Sequence, residues 1–245
     1  SYKMREVSII GIGITKFGEL WDKSLRQLGL ETGLAAISDA GITSKDIDAL
    51  YIGNMAAGST LQQEHVSALM ADYCGLASQN VPATRVEAAS ASGGLAIRQA
   101  YMAIAGGFID IAVVGGAEKM TDVSDSESSY TVSMGSDEQW ESKAGATFAS
   151  LHAMMTQSHM QQYGTTREEM SAVSEKNHYH ASMNPMAQFP FKISAEAVSN
   201  SGLVSSPIRM LDCAPNSDGA AAVVLCATEK AKKYGKKSIR IIGSG

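Results

Sequence analysis

Short apolar runs rich in β-branched residues alternate with longer amphipathic runs through the first half of the chain. This rhythm restricts the fold more than any other feature of the sequence. EVSIIGIG (6–13) is short, β-branched and almost continuously apolar, the pattern of a strand covered on both faces. SLRQLGLETGLAAISDAG (24–41) spaces its apolar residues by three and four and stops at Gly41, which predicts a helix. The pair then recurs. IDALYIGNM (47–55), ATRVEAA (83–89) and DIAVVGGAE (110–118) read as strands, and EHVSALMADYCGL (64–76) and ASGGLAIRQAYMAIAGG (91–107) as helices. Strands separated by helices of this length predict a layered α/β fold.

The rhythm stops near residue 120. Residues 120–207 are rich in Ser, Met and His, with helical stretches and a Pro/Phe loop, NPMAQFPFKIS (184–194). Such a segment is too long for a connection within one compact domain and predicts an inserted, mostly helical subdomain. The α/β pattern resumes in DGAAAVVLCATEKAKKYG (218–235), expected to be a strand followed by a helix. The expected organisation is therefore 1–119 for the first part of an α/β unit, 120–207 for the insertion and 208–236 for the return. Residues 237–245, KSIRIIGSG, are expected to begin a further strand whose continuation lies outside the sequence.

Composition removes several classes of function. A net charge of -5 and scattered Lys and Arg give no basic surface for nucleic acid, and EKAKKYGKK (229–237) reads as a solvated helix face. No apolar run reaches the ~18 residues of a membrane span. Three cysteines, Cys74, Cys213 and Cys226, have no framework spacing, which points to a reducing, cytoplasmic setting. The opening SYKM, followed by REVSII, suggests a native start at Met4 behind a short tag remnant.

Two motifs invite chemistry and fail on spacing. GIGITKFG (11–18) has Lys16 where a dinucleotide fingerprint needs its third glycine, so its glycines are assigned to tight packing after a buried strand. His178 and His180 in HYH lie two apart, on different sides of a helix, and no Cys or carboxylate cluster completes a metal site. No metal is expected. TRVEAASASGGLAIRQA (84–100) is more informative, because an apolar strand leads through Glu87-Ala88-Ala89 into Ser90 just before a helix of small residues. A helix N-terminus favours negative charge by ~0.3–1 kcal/mol. That field would help to lower the pKa of a thiol from about 8.5. A serine there would still need a general base, and the sequence names none. Two readings of Ser90, nucleophile and simple helix N-cap, stand level on these residues.

VEAASASGG (86–94), VVGGAEKMTD (113–122) and LDCAPNSDGAAAVVL (211–225) resemble, in order and separation, three motifs of the thiolases. GITKFGE and AQFPFKI resemble the sterol-carrier-type and archaeal acetyl-CoA acetyltransferase branch. The resemblance implies a layered α-β-α-β-α enzyme with an inserted loop domain, working as a homodimer or tetramer on CoA thioesters without a further cofactor. Its reaction is the condensation of two acetyl-CoA to acetoacetyl-CoA, or the reverse, feeding mevalonate synthesis in the archaeal branch. The partners implied there are HMG-CoA synthase and a zinc-ribbon/OB-fold acyl-CoA-binding protein.

The same resemblance places a cysteine nucleophile where this chain has Ser90, which reads as an engineered Cys→Ser change that keeps the shape and stops acyl transfer. Ala214 and Pro215 align with the pantetheine-contacting segment, although Ala214 lacks the family's hydroxyl. Met120, in the motif after the fourth strand, and His152, on the Met-rich helix, are further candidates for the CoA and acyl tunnel. Met154, Met155 and Met160 are expected in core packing ahead of tunnel lining. The family's later motifs, including the proton-transfer cysteine, have no counterpart here. A C-terminal half is expected from another chain or a further segment, and without it no turnover is expected. Two other readings are a thiolase-like retro-aldolase acting on CoA thioesters and a non-catalytic acyl-CoA- or partner-binding subunit.

Overall fold

The computed structural model describes residues 4–234 and 238–245. The expected tag remnant at residues 1–3 and the Gly235–Lys237 end of the basic run lie outside the described residues. Contacts divide the chain into two compact units, residues 1–122 with 218–245 and residues 123–217. The second unit runs to Ser217, whereas the sequence reading puts the return at 208.

The first unit opens with strand β1 (Val7–Ile14) and helix α1 (Leu25–Ala40). Ser24 starts the helix with a capping box to Gln27, and Gly41 ends it in the left-handed conformation. Gly11 and Gly13 allow α1 to lie directly on β1. A Cβ at Gly11 would stand 2.4 Å from the Ala36 carbonyl oxygen, and one at Gly13 2.4 Å from that of Thr32. The GIG motif therefore serves helix–strand packing. Strand β2 (Ala49–Gly53), the single turn α2 (Ala57–Thr60), α3 (Val66–Tyr73), β3 (Ala83–Val86), α4 (Ser92–Ala105) and β4 (Ile111–Glu118) follow. After the second unit the chain returns as β7 (Gly219–Ala227), a one-turn helix α9 (Thr228–Ala231) and β8 (Ile239–Arg240).

These strands form one mixed sheet in the order β3-β2-β4-β7-β1-β8. β2 runs parallel to β3 and β4, while β7 is antiparallel to both β4 and β1. One face carries α1 and α3 on Ile10, Leu50, Val113 and Val224. The other carries α4, whose Ala96, Ala100 and Ile104 pack on Ala112, Val114 and Leu225. Successive residues of β4 thus enter different cores, which explains its unbroken apolar run. Helices on both faces of one sheet give the α/β class.

Three expectations need correction. β1 is not covered on both faces throughout: Ile12 and Ile14 are 62% and 46% exposed, because α4 lies chiefly over β4 and β2. The helix expected to follow β7 shrinks to one α-helical turn, with Ala231 as its only buried side chain. The last expected strand reduces to Ile239–Arg240, pairing with β1 at Ile9 and Ser8.

The second unit is mostly helical, with α5 (Asp125–Ser133), α6 (Phe148–Tyr163), α7 (Arg167–Ala181), α8 (Ala195–Asn200) and a small hairpin of β5 (Leu203–Ser205) and β6 (Ile208–Arg209). Ser124, Thr147 and Thr166 begin α5, α6 and α7 with capping boxes. Arg167 forms a two-point ion pair with Asp212, fixing the start of α7 to the segment after the hairpin. No helix among the described residues is long and apolar enough to cross a membrane.

Candidate functional site

The three parallel strands point the same way, so their C-terminal ends gather sequence-distant residues at one edge, where ligands bind in open α/β sheets. β3 leads to Ser90, β2 ends at Gly53 before Asn54, and β4 ends at Glu118. The chain turns sharply after β3. Ala89 adopts φ +48°, a conformation that costs an L-residue about 1–2 kcal/mol. The neighbouring serine holds the turn. Ser92 Oγ accepts from the Ala88 N–H at 3.0 Å and donates to the Ala89 carbonyl at 2.6 Å. The Glu87 carboxylate accepts from the Ala89 N–H.

Ser90 itself is exposed, and no hydrogen bond joins its hydroxyl to another group among the described residues. The N-cap of α4 is Ala91, without a side-chain cap. The reading of Ser90 as a helix cap is therefore overturned, since the left-handed turn at Ala89 moves the helix start one residue onward. Close backbone approach positions the helix start. A Cβ at Gly53 would fall 2.6 Å from the Ser92 carbonyl carbon and oxygen, and one at Gly116 3.8 Å from Gly93 Cα.

A polar network supports the same edge. Asn54, fully buried, donates its amide to Ala117 O at 2.8 Å and to Glu118 Oε2 at 3.0 Å, and its backbone N–H to Val86 O. Glu118 also accepts the Met55 and Ala56 N–H groups. Arg85 of β3 donates to Asn54 Oδ1 at 3.0 Å and pairs with Glu64. Burial pushes the Glu118 carboxyl above its ordinary range, against the lowering effect of the Met55 and Ala56 N–H groups and Arg85.

A second buried charge lies where β7 begins. Lys119 Nζ meets Asp218 at 3.0 Å and Asp122 at 2.9 Å. Asp218 also accepts from Leu20, Met120 and Thr121 N–H groups and from the Thr121 hydroxyl. Burial alone would raise the Asp218 pKa; the Thr121 hydroxyl, the Leu20 N–H and Lys119 outweigh it and hold the carboxyl below its usual range.

Ser90 and Met120 lie in the first unit, where Met120 is half-buried with its N–H on Asp218. His152, Ala214 and Pro215 lie in the second unit and are exposed. Met154 and Met155 are also exposed, at 65% and 58%, which overturns their assignment to core packing; Ala153 is the buried residue of α6. The segment carrying Ala214 and Pro215 is tied to the Pro/Phe loop, because Gln188 bonds Ser217 and the Asn216 carbonyl. No group of three His, Cys, Asp or Glu residues among the described residues could hold a metal. The roles of Ser92, Asn54, Arg85 and Gln188 were missed in the sequence. The one local signal was the polar GN step closing an apolar strand.

The thiolase N-terminal domain family matches residues 7–229. The acetyl-CoA acetyltransferase of Methanothermobacter thermautotrophicus is 54% identical over 94% of this chain and 59% of its own length. Benzoylsuccinyl-CoA thiolase subunit BbsB of Thauera aromatica is 35% identical over 98% of this chain and 60% of its own. The chain thus spans about three-fifths of the length of these relatives. Among solved structures, the Ltp2–ChsH2(DUF35) aldolase superposes with a TM-score of 0.75 at 30% identity, over 93% of this chain and 57% of that one. An acetyl-CoA acetyltransferase from Syntrophomonas wolfei gives a TM-score of 0.75 at 19% identity, over 98% and 70%, a likeness of fold alone. Motif order, fold and relatives agree, and the chain belongs to the thiolase N-terminal domain family.

Proposed function

We propose that this chain is the N-terminal portion of an acetyl-CoA acetyltransferase that joins two acetyl-CoA into acetoacetyl-CoA, or runs the reverse, and feeds mevalonate synthesis. The observation that carries the proposal is the turn at Ala89–Ser92. It presents residue 90 free of hydrogen bonds, at a helix start, on the C-terminal edge of the parallel strands. A cysteine there would attack the thioester carbonyl carbon, release CoA thiolate and hold the acetyl group as a thioester. Serine needs a base to do the same, so the chain with Ser90 is proposed to be inactive in acyl transfer. CoA and its thioesters are the proposed ligands, with Met120, His152, Ala214 and Pro215 as candidate contacts. The proton-transfer cysteine and most oxyanion-hole groups are proposed to come from residues beyond this chain, in a homo-oligomeric assembly. HMG-CoA synthase and a small OB-fold protein are proposed partners. A cytoplasmic setting is proposed from the three free cysteines.

The test is Ser90→Cys incubated with acetyl-CoA, followed by peptide mass spectrometry. Acetyl on residue 90 in the variant, and none in the Ser form, is expected. A folded variant that never carries acetyl at that position refutes the assignment. A second reading, retro-aldol cleavage of a CoA thioester with Ser90 as the natural residue, draws on the 30% identical aldolase. Carbon–carbon cleavage by the unaltered chain in its assembly, without an acyl-enzyme, would favour it.

A further inference from the structure

A cavity of about 310 Å³ lies between α1, α3 and the sheet, wholly within the first unit. Leu34, Ile37, Leu50, Met70, Leu76 and Val113 supply much of its wall. Among the described residues, no acidic, basic or histidine side chain lines it. Of its two hydroxyls, Thr32 donates to Leu28 O at 3.0 Å and Ser44 accepts from Gln79 at 2.8 Å. The remaining polar atom is the thiol of Cys74, which burial keeps protonated by raising its pKa. Glycines set the width. A Cβ at Gly33 would meet nothing within 4 Å. Val113, Ala117 and Ala222 place the cavity on the α1/α3 face, while α4, which follows Ser90, packs on the opposite face of the sheet.

Protein interiors hold few voids larger than a water molecule. An apolar cavity of ~150 Å³ remains dry and takes up benzene. We propose that this cavity is a binding site for an uncharged, apolar small molecule roughly twice the size of benzene, a bicyclic aromatic or a medium-length alkyl chain. A CoA thioester does not fit its chemistry, since the phosphates would find no cation among the described residues of the wall. The site is independent of the acyl-transfer reading, and its test uses no acyl transfer.

The purified full chain is titrated with the neutral fluorophore N-phenylnaphthylamine. Alkylation of Cys74 and of exposed Cys213 by iodoacetamide at alkaline pH is then followed in the same sample by peptide mass spectrometry. Saturable binding is expected, with Cys74 alkylation slowed about tenfold when the probe is at about ten times its Kd. Cys213 should be unaffected. The sulfonated analogue, anilinonaphthalene sulfonate, should leave Cys74 unprotected, and Gly33→Leu should abolish binding of the neutral probe. Unchanged alkylation of Cys74 under saturating neutral probe, equal protection by the sulfonate, or undiminished binding in a folded Gly33→Leu overturns the proposal. If Gly33→Leu does not fold, the protection measured in the unaltered chain decides the matter.

Discussion

Two serines separated by one residue make opposite predictions. Ser92 is 5% exposed and its hydroxyl spans the turn, accepting from the Ala88 N–H at 3.0 Å and donating to the Ala89 carbonyl at 2.6 Å. In Ser92→Ala the Ala89 carbonyl keeps the Ser92 N–H at 3.1 Å, whereas the Ala88 N–H loses this acceptor. The loss of one net hydrogen bond, plus one half-buried donor left without it, comes to about 1–3 kcal/mol. At ~2–4 °C per kcal/mol for a chain of this size, the melting temperature should fall by roughly 2–12 °C. Ser90 is exposed and unbonded, so Ser90→Ala should change stability by less than ~0.5 kcal/mol. A helix cap at position 90 would instead cost ~1 kcal/mol. Thermal and urea denaturation followed by circular dichroism on both variants separate the cases. Equal destabilisation by the two substitutions, or a neutral Ser92→Ala, would show that the turn is not held as described.

Other perturbations test the surrounding scaffold. Gly53→Ala should cost about 1–3 kcal/mol, because its Cβ would fall 2.6 Å from Ser92 backbone atoms, and urea unfolding reads this directly. Gly33→Ala, which enters open space within a helix, should instead raise stability by ~0.4–1 kcal/mol in the same assay. Asp218→Asn should cost up to about 3–5 kcal/mol, because buried Lys119 then keeps only the exposed Asp122 as its charged partner. The Asp218 carboxyl titrates below its unfolded value of about 3.9, so its contribution is full above that pH and is lost as pH falls through the folded pKa. Urea midpoints from pH 7 to 3 should therefore fall less steeply in Asp218→Asn than in the unaltered chain. Cys226, buried and pushed up to about 11, should resist iodoacetamide at pH 8, where exposed Cys213 reacts; mass spectrometry of the two peptides decides this.

The sheet was legible because its central strands are buried on both faces, so Val113 and Val114 both had to be apolar and the runs stand out from the amphipathic helices. The segment after Ala227 was misread because one buried residue, Ala231, gives a helix little to pack with, and the basic residues there carry no face. Met154 and Met155 look like core residues by type, but α6 buries only Ala153, and composition does not show which side of a helix is covered. The candidate site was half visible. VEAASASGG marks the turn, yet which serine turns inward depends on a left-handed Ala89, and alanine gives no warning of that conformation. The Asn54–Glu118–Arg85 network joins three strands through side chains far apart in sequence, beyond the reach of any local pattern.

Presentation of residue 90 and its reactivity are separable. Ala89, Ser92, Gly53 and Gly93 shape the turn, and none of their contacts involves the residue 90 side chain. The fold therefore accepts serine or cysteine there without rearrangement, and the difference between them is chemical. The field of the α4 N-terminus contributes ~0.3–1 kcal/mol, less than the 1.36 kcal/mol of one pKa unit. That is a useful fraction of what a thiol near 8.5 needs at neutral pH. For a hydroxyl it is negligible, and no described residue bonds Ser90 Oγ to take its proton. If Ser90 is the working residue, a base must come within hydrogen-bond reach of its hydroxyl. If cysteine is the working residue, this scaffold already holds it in place.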